Sequence, residues 1–153
     1  IANNGIWDDE TTLSENLVVN QGETLTIGAK VTISGNVTIS GGGTIKRDQS
    51  YQGELISVPA GAELTLKDIT IDGGATWTGE TAVGLAADEA AIRIEGGQVT
   101  LDNGAVVQNN NHTSTQDNAY DHTTYEESGQ TYGWRYRRLW RHTDNERGFL
   151  CKK

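Results

Sequence analysis

The sequence contains a single cysteine, Cys151, and this scarcity excludes two classes of protein. One thiol cannot build an internal disulfide framework, and it cannot supply a cysteine-rich metal site. No apolar run is long enough to cross a membrane, and the chain begins at Ile1 with neither Met nor an apolar signal region. We therefore predict no membrane span, and we expect a processed or excised piece of a longer protein.

The motifs of common catalytic sites are also missing. The sequence has no Gly-x-Ser-x-Gly elbow, no His-Glu-x-x-His pair, no phosphate-binding loop and no dinucleotide fingerprint. Its histidines do not fall at the spacing of metal ligands, and Asp-rich calcium repeats are absent. We therefore predict no metal site and no cofactor, with calcium as the one ion that paired carboxylates could hold.

Charge is divided unevenly along the chain. The formal net charge is -9, yet residues 134–153 hold seven of the 12 basic residues and only two of the 21 acidic ones. The rest of the chain is therefore strongly acidic. Such a surface argues against nucleic acid or an anionic membrane as its partner and suits a secreted protein.

One short phrase repeats between residues 25 and 45. Each copy is an apolar residue, a threonine and a second apolar residue, and the copies recur about every six residues. In an extended strand both apolar side chains point to one face and the hydroxyl points to the other. The copies are 25–27, 31–33, 37–39 and, with glycine in the first place, 43–45.

Strands this short leave too little chain to form hairpins that bury a face against a distant sheet. They predict an all-β fold in which strands stack on copies of themselves, a right-handed parallel β-helix. Similar strands continue downstream, and with three to a coil the segments before Asn109 make roughly four coils. The apolar residues expected inside are Ile27, Val31, Ile33, Val37, Ile39, Leu64, Leu66, Ile69, Ile71, Ile92, Ile94, Val99 and Leu101.

The phrases that carry these strands resemble a known family. GETLTIGAKVTISGNVTISGGGTIKR at 22–47, GAELTLKDITIDGGA at 61–75 and GGQVTLDNGAVVQNN at 96–110 are similar to the pectate-lyase-like parallel β-helix segments of large bacterial cell-surface proteins. The resemblance covers about residues 5–111. It implies a secreted or cell-surface location and a role as a stalk, an adhesin or a glycan-facing scaffold, since only some β-helices are polysaccharide lyases or hydrolases.

Two longer segments, 46–54 and 72–91, interrupt the strand pattern. In solenoids such insertions project from one face, which is the usual place for a partner. Tyr51 and Trp77 lie in these segments about one coil apart, and aromatic rings can stack on the apolar face of a sugar. They are the predicted glycan-binding residues. The alternative is that each ring covers the apolar base of its own loop.

Asp68 and Asp72 are the candidate catalytic residues. Their even spacing around Ile69-Thr70-Ile71 predicts that both carboxylates lie on the outer face of one strand, at a separation suited to acid and base catalysis on a glycosidic bond or to calcium. The alternative is a solvated acidic rim with an ordinary turn at 72–73. The predicted function is a structural or glycan-binding scaffold, and its rival is a small polysaccharide-acting enzyme, a glycoside hydrolase or lyase.

The chain is predicted to form one domain with a tail. Residues 1–111 make the β-helix, with an N-terminal cap at about 1–20 in which Trp7 plugs the open end. Residues 112–153 make an irregular tail, polar as far as residue 133 and then basic and aromatic. We expect the tail either to cover the open C-terminal end or to bury it against a second copy in a homodimer.

The basic ending allows two further hypotheses. If residues 134–138 are encoded with suitable codons, a shift by one nucleotide reads as a glycine-rich phrase, and the shifted frame can continue as a β-helix sequence. The chain after about residue 133 would then be out of frame. The other hypothesis takes the same stretch as a basic aromatic motif for nucleic acid or a membrane.

Overall fold

The computed structural model describes residues 5–78, 81–83 and 91–110, together with three further strands at 124–127, 130–133 and 149–152. Every regular element in these residues is a β-strand, so this part of the chain contains no helix that could span a membrane. In chain order the strands are β1 (Ile6–Trp7), β2 (Thr11–Leu13), β3 (Leu17–Val18), β4 (Thr24–Ile27), β5 (Val31–Ile33), β6 (Asn36–Ser40), β7 (Thr44–Arg47), β8 (Ile56–Pro59), β9 (Glu63–Lys67), β10 (Thr70–Asp72), β11 (Thr76–Thr78), β12 (Thr81–Val83), β13 (Ile92–Glu95), β14 (Gln98–Asp102), β15 (Ala105–Gln108), β16 (Thr124–Glu127), β17 (Gln130–Gly133) and β18 (Phe149–Lys152).

Most of these strands form three parallel sheets. β1, β4, β7, β10 and β15 follow one another in the first sheet, β2, β5, β8 and β13 in the second, and β3, β6, β9 and β14 in the third. The chain therefore visits each sheet once per coil, and successive coils pair through parallel ladders. The arrangement is consistent with a parallel β-solenoid, and four coils precede β15, as the repeat spacing predicts.

Stacked apolar side chains fill the inside of the coils. In the first sheet Leu25, Ile45, Ile71 and Val107 are register partners on successive strands, and none is more than 2 % exposed. Each such burial is worth about 1.5–3 kcal/mol. All the apolar residues that the repeat pattern predicts as core are buried, so that prediction is confirmed.

The threonines of the repeat lie on the opposite face. Thr38, Thr65 and Thr100 are register partners in the third sheet, and all three are partly exposed while the residues on either side of each are buried. The alternation follows from the pleat, because successive side chains on a strand point to opposite faces. The predicted register, with the hydroxyls outside, is confirmed.

Asp68 lies at a corner between β9 and β10. Its φ of 47° is in the left-handed region, as are those of Asn103 (30°) and Asn109 (55°), and Asp and Asn adopt this region more readily than most residues. The Asp68 amide donates to the carbonyl oxygen of Asn103 over 3.1 Å, and its own carbonyl oxygen accepts from Gly42 over 2.6 Å. Corners of three successive coils are thus bonded to one another.

Residues 6–18, expected to belong to a cap, run as a first coil. β1, β2 and β3 each pair in parallel with the corresponding strand of the second coil. Trp7 is the register partner of Ile27 and packs, partly buried, against the core. Its indole therefore lies at the N-terminal end of the apolar stack, and a capping role for this segment stays a prediction.

Three strands come from the region expected to be irregular. β16 is antiparallel to β15, β17 is antiparallel to β14, and β18 is parallel to β13. The edge of the last coil offers main-chain donors and acceptors, and any extended segment can pair with them whether or not its side chains are aliphatic. The frame-shift and basic-motif hypotheses concern residues that lie largely outside those described, and the homodimer stays a prediction.

Candidate functional site

Two loops leave the solenoid at the same corner, on neighbouring coils. The first follows β7 and spans residues 48–55, and the second follows β10 and contains the antiparallel hairpin of β11 and β12. Lys46 and Asp72 are register partners at the ends of β7 and β10, so the two loops begin side by side. The candidate site therefore lies at the corner where the two predicted insertions interrupt the strand repeat.

Arg47 organises this corner. It is the register partner of Ile27, so it occupies an inward position, and its side chain is only 2 % exposed. Its Nε donates to the carbonyl oxygen of Gly73, one coil further on, over 3.1 Å. Its Nη1 donates to the carbonyl oxygen of Tyr51 over 3.3 Å and to that of Gly53. One guanidinium thus joins its own coil, the first loop and the next coil.

Burying this charge costs free energy, and the neighbouring groups offset part of that cost. Burial lowers the pKa of Arg47 to about 10, while the charges of Tyr51 and Glu54 raise it. The guanidinium carbon lies 5.8 Å from the centre of the Tyr51 ring, within the range of a cation–π contact. At neutral pH the side chain stays protonated, and carbonyl oxygens take the place of water around it.

Tyr51, a predicted glycan-binding residue, lies partly buried in the first loop and packs against the core. Its hydroxyl donates to the carbonyl oxygen of Glu54 over 2.6 Å. The ring therefore covers the base of its own loop, which is the alternative role weighed from the sequence. Trp77, the other predicted residue, lies on β11, and its side chain falls outside the described residues. Sugar binding by either ring stays a prediction.

A row of charged side chains attaches the first loop to the second sheet. Glu54 Oε1 lies 4.0 Å from Arg93 Nη1, and Arg93 Nη2 lies 2.7 Å from Oε1 of Glu95. The Glu54 side chain is 12 % exposed and the Arg93 side chain 22 %, so water screens this pair only in part. The arrangement orients the C-terminal end of the loop just before β8 begins.

Asp72, a candidate catalytic residue, accepts three hydrogen bonds from other described residues. Oδ1 accepts from the Gly74 amide over 2.7 Å, and Oδ2 accepts from Gln108 Nε2 and from Asn109 Nδ2, each over 3.0 Å. The carboxylate therefore holds the turn after β10 and links it to the following coil. Such a set of donors suits a structural carboxylate, because catalysis requires an oxygen that can reach substrate.

Asp68 does not lie on the same strand as Asp72. β10 begins at Thr70, and the left-handed backbone of Asp68 breaks the alternation on which the predicted pairing depended. Asp68 is exposed at its corner, whereas Asp72 is partly buried. Even spacing in the sequence is therefore insufficient to place the two carboxylates on one face. Catalysis by Asp68 and Asp72 stays a prediction, but the shared strand on which it was based is not present.

The described residues contain no group of three or more His, Cys, Asp or Glu side chains placed to hold a metal ion. The calcium possibility at Asp68 and Asp72 therefore receives no support from side-chain clustering in that part of the chain. The donors around Asp72 are amides of the protein itself, and a cation at this carboxylate would compete with them. Calcium binding stays a prediction.

Arg47 is the site residue that the sequence analysis missed. The repeat pattern includes Gly43-Thr44-Ile45, and the prediction places residues 46 and 47 in the following loop. Strand periodicity carries a signal that could have found it, because two residues after the inward Ile45 the next inward position is 47. A charged residue in that position indicates either the end of a strand or a buried charge with partners, and here it is both.

Comparison with known proteins assigns no family to the chain. No protein-family model, no curated protein and no solved structure matches it.

Proposed function

We propose that this chain is a right-handed, pectate-lyase-like parallel β-helix segment of a bacterial cell-surface protein, and that it serves as a structural or glycan-binding scaffold. One observation favours the scaffold over an enzyme. The charged groups at the loop-bearing corner are bound by the protein's own groups: Arg47 by three carbonyl oxygens and Asp72 by three donors. These described groups hold the loops in place, and their polar atoms are engaged by the protein itself.

A glycan panel tests both the proposal and its rival. The intact protein is offered plant, microbial and host polysaccharides, and the reaction is assayed for new reducing ends and for unsaturated products. The scaffold proposal predicts no turnover, with or without binding. Turnover that disappears in D72N would favour the polysaccharide-acting enzyme and would overturn the scaffold.

Binding is tested separately through the two aromatic residues. Replacing Tyr51 and Trp77 by Ala should abolish glycan binding if the loops form the binding face, because the stacking surface is lost. The matched control is Y51F, which keeps the ring but removes the bond to the Glu54 carbonyl. If the parent binds a glycan and the double variant binds it equally well, the glycan site lies elsewhere on the solenoid.

A further inference from the structure

Two strands of the C-terminal region retrace the end of the solenoid in the opposite direction. The chain runs along β14, passes a corner of two residues, Asn103-Gly104, and continues as β15. Further on it runs antiparallel to β15 as β16 and then, after the two residues Ser128-Gly129, antiparallel to β14 as β17. We call β14 and β15 the C-terminal edge, and β16 and β17 the return strands. The return strands thus follow the C-terminal edge in reverse order.

The register of this pairing places two tyrosines at positions that continue the apolar stack. Tyr132 is the register partner of Val99, and Tyr125 is the register partner of Val107. Both valines are buried inside the coil. Residues directly opposite one another in an antiparallel pair belong to the same face of the sheet. Both tyrosines therefore occupy inward positions of the return strands.

The inward side chains of the C-terminal edge are covered on both sides. Val99, Leu101, Ala105 and Val107 are each 0 % exposed. The preceding coil covers one side of them, since β9 pairs with β14 and β10 pairs with β15. An uncovered end of a solenoid would leave the other side open to water. Another part of the chain therefore covers this end, and the return strands are the described elements that pair with both strands of the edge.

Main-chain groups of the edge also face the return strands. The amides of Gln98 and Val106 donate to carbonyl oxygens of the preceding coil, over 3.1 and 2.9 Å. Successive amides along a strand point to opposite sides, so the amides of Val99 and Val107 face β17 and β16. In an antiparallel ladder, opposite residues whose amides face one another exchange both hydrogen bonds. The contact therefore combines main-chain bonds with aromatic residues at inward positions.

We propose that the C-terminal edge is a strand-binding surface and that the return strands of the same chain occupy it as a cap. The inward positions nearest the corner are Glu127 and Gln130, opposite Ala105 and Leu101. Polar residues at these positions disfavour the stacking of a further apolar coil on the cap. Short strands with charged residues are also a common protection of a sheet edge. The cap thus keeps the edge from pairing with strands of other chains.

Hydrogen exchange of the full chain, followed by NMR, tests the cap. Y125P/Y132P removes the two amides of the return strands that face the edge, and proline cannot replace them as donors. Exchange at the amides of Val99 and Val107 should become about tenfold faster or more, because these amides lose their partners. Unchanged exchange at both amides overturns the proposal.

The matched control places proline one residue away, where the amides face the other side. β16 and β17 are terminal strands of their sheets within the described residues, and proline is tolerated where the N–H side of an edge strand is unpaired. In E126P/T131P the two valine amides should exchange as in the parent. Equal acceleration in both proline variants overturns the assigned register. The amides of Gln98 and Val106, which face the preceding coil, should stay protected in both variants and show that the solenoid is intact.

The effect of protein concentration identifies which chain supplies the cap. Light scattering should give 16.5 kDa for the parent at every concentration, and exchange at Val99 and Val107 should not depend on concentration. Y125P/Y132P should form larger species, because the uncovered edge can pair with a second copy. Protection that rises with the concentration of the parent would assign the cover to a second copy and overturn the proposal. A Y125P/Y132P protein that keeps the mass of one chain would overturn the protective role of the cap.

Discussion

Arg47 Nε donates a 3.1 Å hydrogen bond to the carbonyl oxygen of Gly73, and this bond joins the third coil to the fourth at the corner where both loops begin. Gly73 is suited to this position because it lacks a side chain. A Cβ atom there would lie 2.7 Å from the carbonyl oxygen of Asn109 and would also meet the Asn110 amide. The long side chain of Arg47 on one coil is thus adjacent to a glycine, Gly73, on the next coil.

Replacing Arg47 by Ala should lower the free energy of unfolding by about 3 kcal/mol or more, because buried carbonyl oxygens lose their donor. R47K should give an intermediate loss, since one ammonium cannot reproduce the fork of the guanidinium. Urea unfolding measures both. K46A, at the exposed neighbouring position, is the control and should stay within about 0.5 kcal/mol of the parent. Equal effects of R47A and K46A would contradict the role given to Arg47.

Ile69→Ala should lower the free energy of unfolding by about 2–5 kcal/mol, since the side chain is 1 % exposed and its removal leaves a cavity in the apolar stack. E63A, at an exposed position on β9, provides the comparison and should have a small effect. Both are measured by urea unfolding monitored through tryptophan fluorescence and circular dichroism. An Ile69 variant as stable as the parent would be incompatible with a packed coil interior.

Asp72→Ala should lower the free energy of unfolding by about 1–3 kcal/mol, because the Gly74 amide and the Gln108 and Asn109 side chains lose their acceptor. Asp68→Gly should be neutral or stabilising, since glycine adopts a positive φ without steric cost. Thermal and urea unfolding of the two variants make the comparison. A greater loss of stability in D68G than in D72A would reverse the roles assigned to the two aspartates.

The pKa of Asp48 should respond to Ser50. The Ser50 hydroxyl donates to the Asp48 carboxylate, and this bond, with that from the Ser50 amide over 3.2 Å, lowers the pKa of Asp48 below its ordinary value of 3.8. Because the folded-state pKa is the lower one, the stabilisation is present above pH 3.8 and is lost as the pH falls through the folded-state pKa. In S50A the pKa of Asp48 should rise, as measured by carboxyl-carbon NMR. T32A serves as the distant control, and an unchanged pKa in S50A would refute the assignment.

Deletion of residues 149–153 should loosen the outer side of β13. β18 pairs with β13 from Ile92 to Glu95, so its removal exposes the amides of β13 that face it. Hydrogen exchange in residues 92–95 should become faster, while exchange in β6 of the third sheet should not change, because β6 lies between two retained strands. Unaltered protection at residues 92–95 would mean that this pairing contributes little in solution.

The loop-bearing corner could be located from the sequence only in part. The interruptions of the repeat located the two loops, because a solenoid tolerates extra chain only where it turns between strands. The contacts that side chains make at this corner could not be predicted from the sequence. No sequence pattern around Tyr51 indicates that its hydroxyl donates to the carbonyl oxygen of Glu54. The even spacing of Asp68 and Asp72 predicts one shared strand, but the left-handed backbone of Asp68 interrupts the alternation between them.

The sequence by itself determined the class of fold and the composition of its core. The repeat places an apolar residue on each side of a threonine, and its strands are too short to form hairpins. Such strands can bury one face and pair their backbones only by stacking on one another. Tertiary structure decided which partners the polar side chains bind. Arg47 binds Gly73, which lies one coil away and 26 residues further along the chain. Asp72 binds Gln108, which lies one coil away and 36 residues further along. A local pattern cannot encode such partners, because the coil that brings them together is itself the product of folding.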